Sequence, residues 1–258
     1  MIISSKDNPK IKYAKKLLTS PSFRKKEGLI LLEGQRLCDD AAGNSAVIKT
    51  VLFSRKFREK FPESLLRLTD ISEESLEATE DVLLKISDTE SCQGVICICE
   101  RPKISLSLKK GGKYLLLENV SDPSNVGAAA RTAEALGADG ILVCGGCDPF
   151  SPKVLRASMG ALLRFPVGVF PDISKAAEEL ERAGVPLYCS VVSNPDKSIG
   201  ETDFSAGCAV IIGNEAKGAS DEARALSKIR FTVPMAGRAE SLNAAAAAAI
   251  IIYEMTKG

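Results

Sequence analysis

Residues 114–144 read YLLLENVSDPSNVGAAARTAEALGADGILVC, and the rest of the fold is read outward from this stretch. The apolar run YLLLENV gives way to a Ser/Asp/Pro turn. A helical pattern follows from Asn125 to Leu136, closes at Gly137, and leads into a second apolar run, GILVCGG. The alternation then continues to the C-terminus. Ser151 to Leu163 reads as helical, FPVGVF as a strand, and Ile173 to Ala183 as a helix closed by Gly184. PLYCSVV and CAVIIG read as strands, Asp221 to Leu226 as a short helix, IRFTVP as a strand, and the residues from about Ser241 as a final helix. Such a pattern predicts an α/β fold with a parallel sheet, helices on both faces, and ligands at the carboxyl ends of the strands.

Ahead of this half lies a second, smaller α/β unit. Ile11, Ala14, Leu17 and Leu18 recur at helical spacing before the breaker Ser20-Pro21, and LILLE, VIKTVLFS and GVICICE read as strands around the helical run QRLCDDAA. The Pro- and Gly-containing stretch RPKISLSLKKGGK (residues 101–113) marks the join. Domains are therefore expected over 1–105 and 113–258, with a linker over 106–112. At 258 residues, two domains also fit a norm of about 150 residues per domain.

Composition narrows the chemistry. Hydrophobic residues at 45% and charged residues at 26% are ordinary globular usage, which excludes disordered and fibrous classes. The chain lacks histidine altogether, so Ser-His-Asp and Cys-His triads, His-ligated zinc and imidazole proton shuttles are all excluded. The eight cysteines lie mostly in apolar runs; Cys144 and Cys147 form a lone CxxC without a zinc-finger partner, and all eight read as structural. No metal site is expected. The longest apolar stretch, Ala244 to Tyr253, is about half a membrane span, and the N-terminus has no apolar signal core. A soluble, cytoplasmic protein without a membrane partner is expected.

The net charge of +1 conceals a division. Residues 1–60 carry fourteen Lys and Arg against six Asp and Glu, whereas residues 61–100 carry two against ten. Lys10, Lys12, Lys15, Lys16, Arg24, Lys25 and Lys26 cluster with few acids between them, which reads as a polyanion-binding face rather than a mixed solvated surface.

Three strand-to-helix loops in the second half are specific in composition. In the first, Asp122 or Ser124 can cap the helix, and Arg131 further along can hold a phosphate or a developing oxyanion, or be an ordinary surface arginine. The second, GNEAKGAS (213–220), follows a buried strand; it is neither a P-loop nor a GxGxxG, and its glycines leave backbone open to a ligand. In the third, VPMAGRAESLN (233–243), Ser241 and Asn243 are polar groups at a helix start, and Val233 and Met235 can line an apolar slot.

Taken together, DPSNVGAAARTAEALGADG, GNEAKGAS and VPMAGRAESLNAAAAAAIIIYE resemble, in this order, the three motifs of the SpoU or TrmH family of RNA ribose 2′-O-methyltransferases in the SPOUT superfamily. The N-terminal part is similar to the ribosomal-protein-like RNA substrate-binding domain that often precedes that catalytic domain. The resemblance implies a deep trefoil knot whose loops cradle S-adenosyl-L-methionine, with Gly213, Val233 and Leu242 as principal contacts and Ser190, Asn214, Met235 and Ser241 as neighbours. It also implies a homodimer, which would give the alanine run a purpose. Arg131 matches the family's catalytic arginine, as base or as electrostatic stabiliser. Asn125 and Glu215 would orient the substrate or Arg131, and Ser241 and Asn243 would shape the active-site loop. Ala216, Ala219 and the alanine run depart from the family pattern. The expected activity is methylation of a ribose 2′-hydroxyl in ribosomal RNA. The same reaction on tRNA, a non-catalytic RNA-binding or ribosome-assembly protein, and a small-molecule α/β enzyme stand as alternatives.

Overall fold

The computed structural model describes residues 2–257. Two units make up the fold. One holds the residues through Lys103 together with Phe150–Arg164, and the other holds Ile104–Pro149 with the residues from Phe165 onward.

In the first unit, strand β1 (Ile2–Ile3) precedes helix α1 (Pro9–Thr19). Asn8 caps α1 by accepting from the Lys10 N–H at 2.9 Å, and Pro9 fills a first position that needs no donor. Ser20 ends α1 and caps α2 (Pro21–Glu27), which closes on Gly28 in the left-handed region, φ 65°. There follow β2 (Leu29–Glu33), α3 (Gln35–Gly43), β3 (Ile48–Phe53), α4 (Arg55–Lys60), α5 (Pro62–Asp70), β4 (Ser72–Ala78), α6 (Glu80–Lys85) and β5 (Val95–Glu100). The strands form a mixed sheet in the order β1-β4-β3-β5-β2, with β3 parallel to β4 and antiparallel to β5. Ile11, Ala14 and Leu17 of α1 pack on Leu31, Leu52, Ile96 and Ile98, so the helical periodicity read from the sequence faces the core. The acidic stretch SEESLEA becomes β4 although its residues are poor strand formers. Pairing with β1 and β3 imposes the strand.

The second unit contains β6 (Lys113–Glu118), α7 (Pro123–Ala135), β7 (Gly140–Cys144), β8 (Val167–Phe170), α9 (Ile173–Arg182), β9 (Leu187–Ser190), β10 (Lys197–Ser198), β11 (Cys208–Ile212), α10 (Asp221–Leu226), β12 (Ile229–Thr232) and α11 (Ala244–Thr256). The seven strands lie in the order β10-β12-β9-β11-β6-β7-β8, and every neighbouring pair is parallel, as expected. Strands β7 and β11 are buried along their whole length, which requires cover on both faces. The final helix starts three residues later than its periodicity suggests, because Asn243 is its cap and accepts from the Ala245 and Ala246 N–H groups.

The structure departs from the sequence reading at two places along the chain. Helix α8 (Pro152–Ala157), with Phe150–Arg164 around it, groups with the first unit rather than with the second half. Arg156 lies 3.0 Å from Asp88 and 3.7 Å from buried Glu33, and Arg164 lies 3.0 Å from Asp40. Residues 106–112, expected to be a linker, are fastened inside the second unit. The hydroxyl of fully buried Tyr114 donates to the Ser107 carbonyl at 3.1 Å and accepts from the Lys109 N–H at 3.0 Å.

The basic cluster also divides. Arg24 is 4% exposed and its guanidinium donates to the Leu17 and Leu18 carbonyls, so it ties down the end of α1 instead of joining a surface for polyanions. Lys10 pairs with Glu74, Lys12 with Asp7 at 2.9 Å, and Lys16 lies over the Phe23 ring. Lys15, Lys25 and Lys26 are exposed. Replacing Arg24 by Ala should therefore lower stability by about 2 kcal/mol, whereas Lys25→Ala should change it by less than about 0.5 kcal/mol; urea denaturation distinguishes the two.

Candidate active site

The three loops singled out in the sequence meet at the carboxyl ends of the second unit's strands. After β11 the chain turns through Gly213–Ser220. Asn214 and Gly218 exchange backbone hydrogen bonds at 3.0 and 2.8 Å, and the Asn214 Oδ1 accepts from the Ala216 and Lys217 N–H groups. A Cβ on Gly213 would lie 2.1 Å from the Ala219 nitrogen. The glycine is thus required by the loop's own backbone folding over it, which the sequence reading had ascribed to a ligand.

Two carboxylates bind this loop to the one after β6. Buried Glu118 accepts from the Ser220 N–H at 2.9 Å and from the Ser220 hydroxyl, while Ser220 also caps α10. Glu215 reaches the opposite way. It accepts from the Ser121 N–H and hydroxyl at 3.2 and 3.0 Å, from the Asp122 N–H at 3.0 Å and from Asn125 Nδ2 at 3.0 Å. Asn214 Nδ2 adds a bond to the carbonyl of Asn119, which sits at φ 54°. Desolvation opposes the charge on Glu215, but the donors from Asn125, Asp122 and Ser121 outweigh it and hold the carboxyl down at about 2.

Asn125, only 6% exposed, joins the third loop to this pair. Its Nδ2 is given to Glu215 and its Oδ1 accepts from Asn243 Nδ2 at 2.9 Å. Asp122, one of the two caps considered, is the one used: it accepts from the Ser124 N–H at 2.8 Å. Asn243, Asn125 and Glu215 therefore form one chain of side chains across all three loops. Arg131 lies further along α7, exposed and without an ion-pair or hydrogen-bond partner among the described residues.

A cleft of about 460 Å³ opens between the loops after β9, β11 and β12. Ser190, Gly213, Asn214, Glu215, Ser241, Leu242 and Asn243 all line it. Val233 and Met235, expected as contacts, lie half-buried on the same third segment but outside the lining; buried Asn125 and exposed Arg131, both on α7, are outside it as well. Sequence reasoning missed Arg224, Lys217 and Glu240, which also line the cleft; Lys217 and Glu240 belong to the second and third loops but nothing local marks them, and Arg224 lies beyond the second loop on α10. Its volume and mixed lining are of the kind that takes a nucleoside-sized ligand. The larger hollow in the first unit, about 780 Å³, is walled by lysines and glutamates that neutralise one another, such as Lys49 with Glu73 and Glu100. Burial pushes the Cys144 and Cys189 thiols up to about 12, which makes them inert packing groups. Among the described residues no cluster suited to a metal ion occurs, and no helix is long and apolar enough to cross a membrane.

Comparison with known proteins identifies the family of both parts of the chain. Residues 112–253 match the SpoU rRNA Methylase family, and residues 8–97 match an MRM3-like substrate binding domain. The chain is 32% identical over 254 residues to the 23S rRNA (guanosine(2553)-2′-O)-methyltransferase RlmP of Bacillus subtilis, covering 98% of both proteins. It is 30% identical to a 23S rRNA (uridine(2479)-2′-O)-methyltransferase of Streptomyces viridochromogenes, covering 93% of this chain and 87% of that one. Among solved structures, the SpoU methyltransferase AviRb of Streptomyces viridochromogenes in complex with AdoMet superposes with a TM-score of 0.87 at 26% identity, over 97% of each chain. An AdoMet-bound rRNA methyltransferase of Sinorhizobium meliloti gives 0.84 at 28%, over 99% of this chain and 97% of that one.

The Glu215 network has a pH signature. The stability it contributes is complete above the ordinary carboxylate value of 4.5 and drains away as pH falls toward about 2, because the unfolded chain takes up the proton first. Wild type should be more stable than Glu215→Gln at pH 7, and the gap in urea midpoints should close between about pH 5 and about pH 2.

Proposed function

Because the chain belongs to the SpoU rRNA methylase family, we propose that it transfers a methyl group from S-adenosylmethionine to a ribose 2′-hydroxyl of ribosomal RNA. The observation that carries this reading is the Asn243–Asn125–Glu215 chain, which joins the three loops at the rim of a cleft of nucleoside size. When bound, the cofactor supplies a methyl group already activated by a positively charged sulfur. Ser190, Gly213, Asn214 and Leu242 would hold it, since they line the cleft. Val233 and Met235 would close the wall from the third segment.

The remaining tasks are alignment and charge. A 2′-oxygen must be brought in line with the methyl–sulfur bond and must lose its proton. A guanidinium offers only donors, so the role of Arg131 is to clamp a substrate phosphate and stabilise the oxygen as it becomes negative. Asn125 and Glu215 fix the start of α7, the helix that carries Arg131. Ser241 and Asn243 shape the segment entering α11.

The first unit serves as the RNA substrate-binding domain, with exposed Lys15, Lys25 and Lys26 as phosphate contacts and Lys10, Lys12 and Lys16 beside them. Ribosomal RNA is favoured over tRNA by the substrates named for the relatives above. The C-terminal loops form a trefoil knot in this reading. The chain works as a homodimer, for which exposed Ile250 and Tyr253 on α11 offer apolar contacts. Its place is the cytoplasm, whose reducing conditions suit eight thiols.

Calorimetric titration with S-adenosylhomocysteine should give saturable binding near one site per chain; folded protein that does not bind at high micromolar concentration would overturn the reading. Arg131→Ala should abolish methyl transfer to ribosomal RNA and leave cofactor affinity within a few fold. Replacing Lys15, Lys25 and Lys26 together by Ala should flatten the log–log salt dependence of RNA binding by roughly two, as about 0.7–0.9 is expected per phosphate contact.

A further inference from the structure

Arg224 is the fourth residue of α10, and its role is not accounted for by the loop network. Its Nε donates to the Ala219 carbonyl at 3.1 Å, which orients the half-buried guanidinium against the loop after β11. Its Nη2 lies 3.7 Å from where a Cβ on Gly218 would stand, so the group runs along the glycine and forms part of the cleft wall. Neither terminal nitrogen has a carboxylate partner among the described residues.

Arg131 and Arg238 of the same unit are exposed and unpaired among the described residues, but its other arginines near carboxylates are matched. Arg230 makes two side-chain bonds to Asp196, and Arg182 pairs with Glu178 and Glu179. The carboxylates that tie the adjoining loops together are already engaged, Glu118 by Ser220 and Glu215 by Ser121, Asp122 and Asn125, and Glu222 on α10 is held by Ser174. A guanidinium that is anchored at one nitrogen, partly desolvated and open toward a cleft presents two parallel donors suited to a carboxylate. Lys217, the other cation on the cleft wall, is exposed and has no such anchor.

We propose that Arg224 binds the α-carboxylate of S-adenosylmethionine and thereby selects the amino-acid half of the cofactor. The inference rests on the cofactor reading above. That carboxylate is the one anionic group the cofactor brings into the cleft, and Gly218 puts no side chain beside the guanidinium. Arg224 is a binding residue, distinct from the groups that handle the 2′-oxygen.

The test compares two ligands on the full-length protein: S-adenosylhomocysteine, and 5′-methylthioadenosine, which lacks the amino-acid end. Arg224→Gln should weaken S-adenosylhomocysteine about ten-fold or more and leave 5′-methylthioadenosine within about two-fold, with Arg224→Lys falling between. Binding of 5′-methylthioadenosine is also the check that the variant has kept its fold. Equal losses for both ligands would mean that Arg224 shapes the nucleoside wall, and unchanged S-adenosylhomocysteine affinity would mean that its partner is elsewhere, for instance an RNA phosphate. Either result overturns the proposal while the cofactor reading stands. If wild type binds neither ligand, the cofactor reading falls and this proposal falls with it.

Discussion

The site depends on a reciprocal exchange of carboxylates between two loops. Glu118, at the end of one strand, reaches across to Ser220; Glu215, in the other loop, reaches back to Ser121, Asp122 and Asn125. Each carboxylate satisfies backbone donors that a turn into a helix would otherwise leave open. Charge-assisted bonds in both directions resist separation of the loops more than either alone, and they do so without occupying the cleft. Asn125 extends the network to Asn243, so the cap of the final helix is set by the same bonds that set the first loop. The loops are therefore ordered by the protein's own bonds, and a ligand entering the cleft need not supply that order.

Much of this was legible in the sequence because it is periodic or local. The alternation from Tyr114 onward specifies seven-stranded parallel architecture almost completely, missing only the two-residue β10. Asp122 reads as one of two candidate caps and is the cap. What the sequence hides are partnerships across distance. Glu215 and Asn125 are 90 residues apart, and nothing local to either marks the other. Glu118 looks like the polar end of an apolar strand until Ser220 is placed beside it. Strand β4 is hidden for a related reason: its acidic residues have low strand propensity, and only its neighbours make it a strand.

Charge read from the sequence misled in an instructive way. Seven basic residues between positions 10 and 26 look equivalent on paper, but their environments differ. Arg24 is inside, spent on helix carbonyls; Lys10 and Lys12 have acidic partners; Lys15, Lys25 and Lys26 face solvent. A count of charges therefore overstates the field available to a polyanion, and what matters is the subset not already neutralised. The same distinction operates in the cleft, where Glu215 is saturated with donors and the terminal nitrogens of Arg224 lack an acceptor among the described residues.

The return of residues 150–164 to the first unit has a consequence for how the chain is made. Glu33, Asp40 and Asp88 acquire their arginine partners only from a segment synthesised some sixty or more residues after the unit's last strand begins. On an elongating chain the sheet of the first unit can form early, with Glu33 already held by Ser87, Asp88 and Thr89, but Asp40 and Asp88 lack their arginine partners until Arg164 has emerged. By then β6, α7 and β7 of the second unit have already been made. Folding during synthesis is thus interleaved, and the N-terminal half cannot mature as an isolated module that is finished before its neighbour begins.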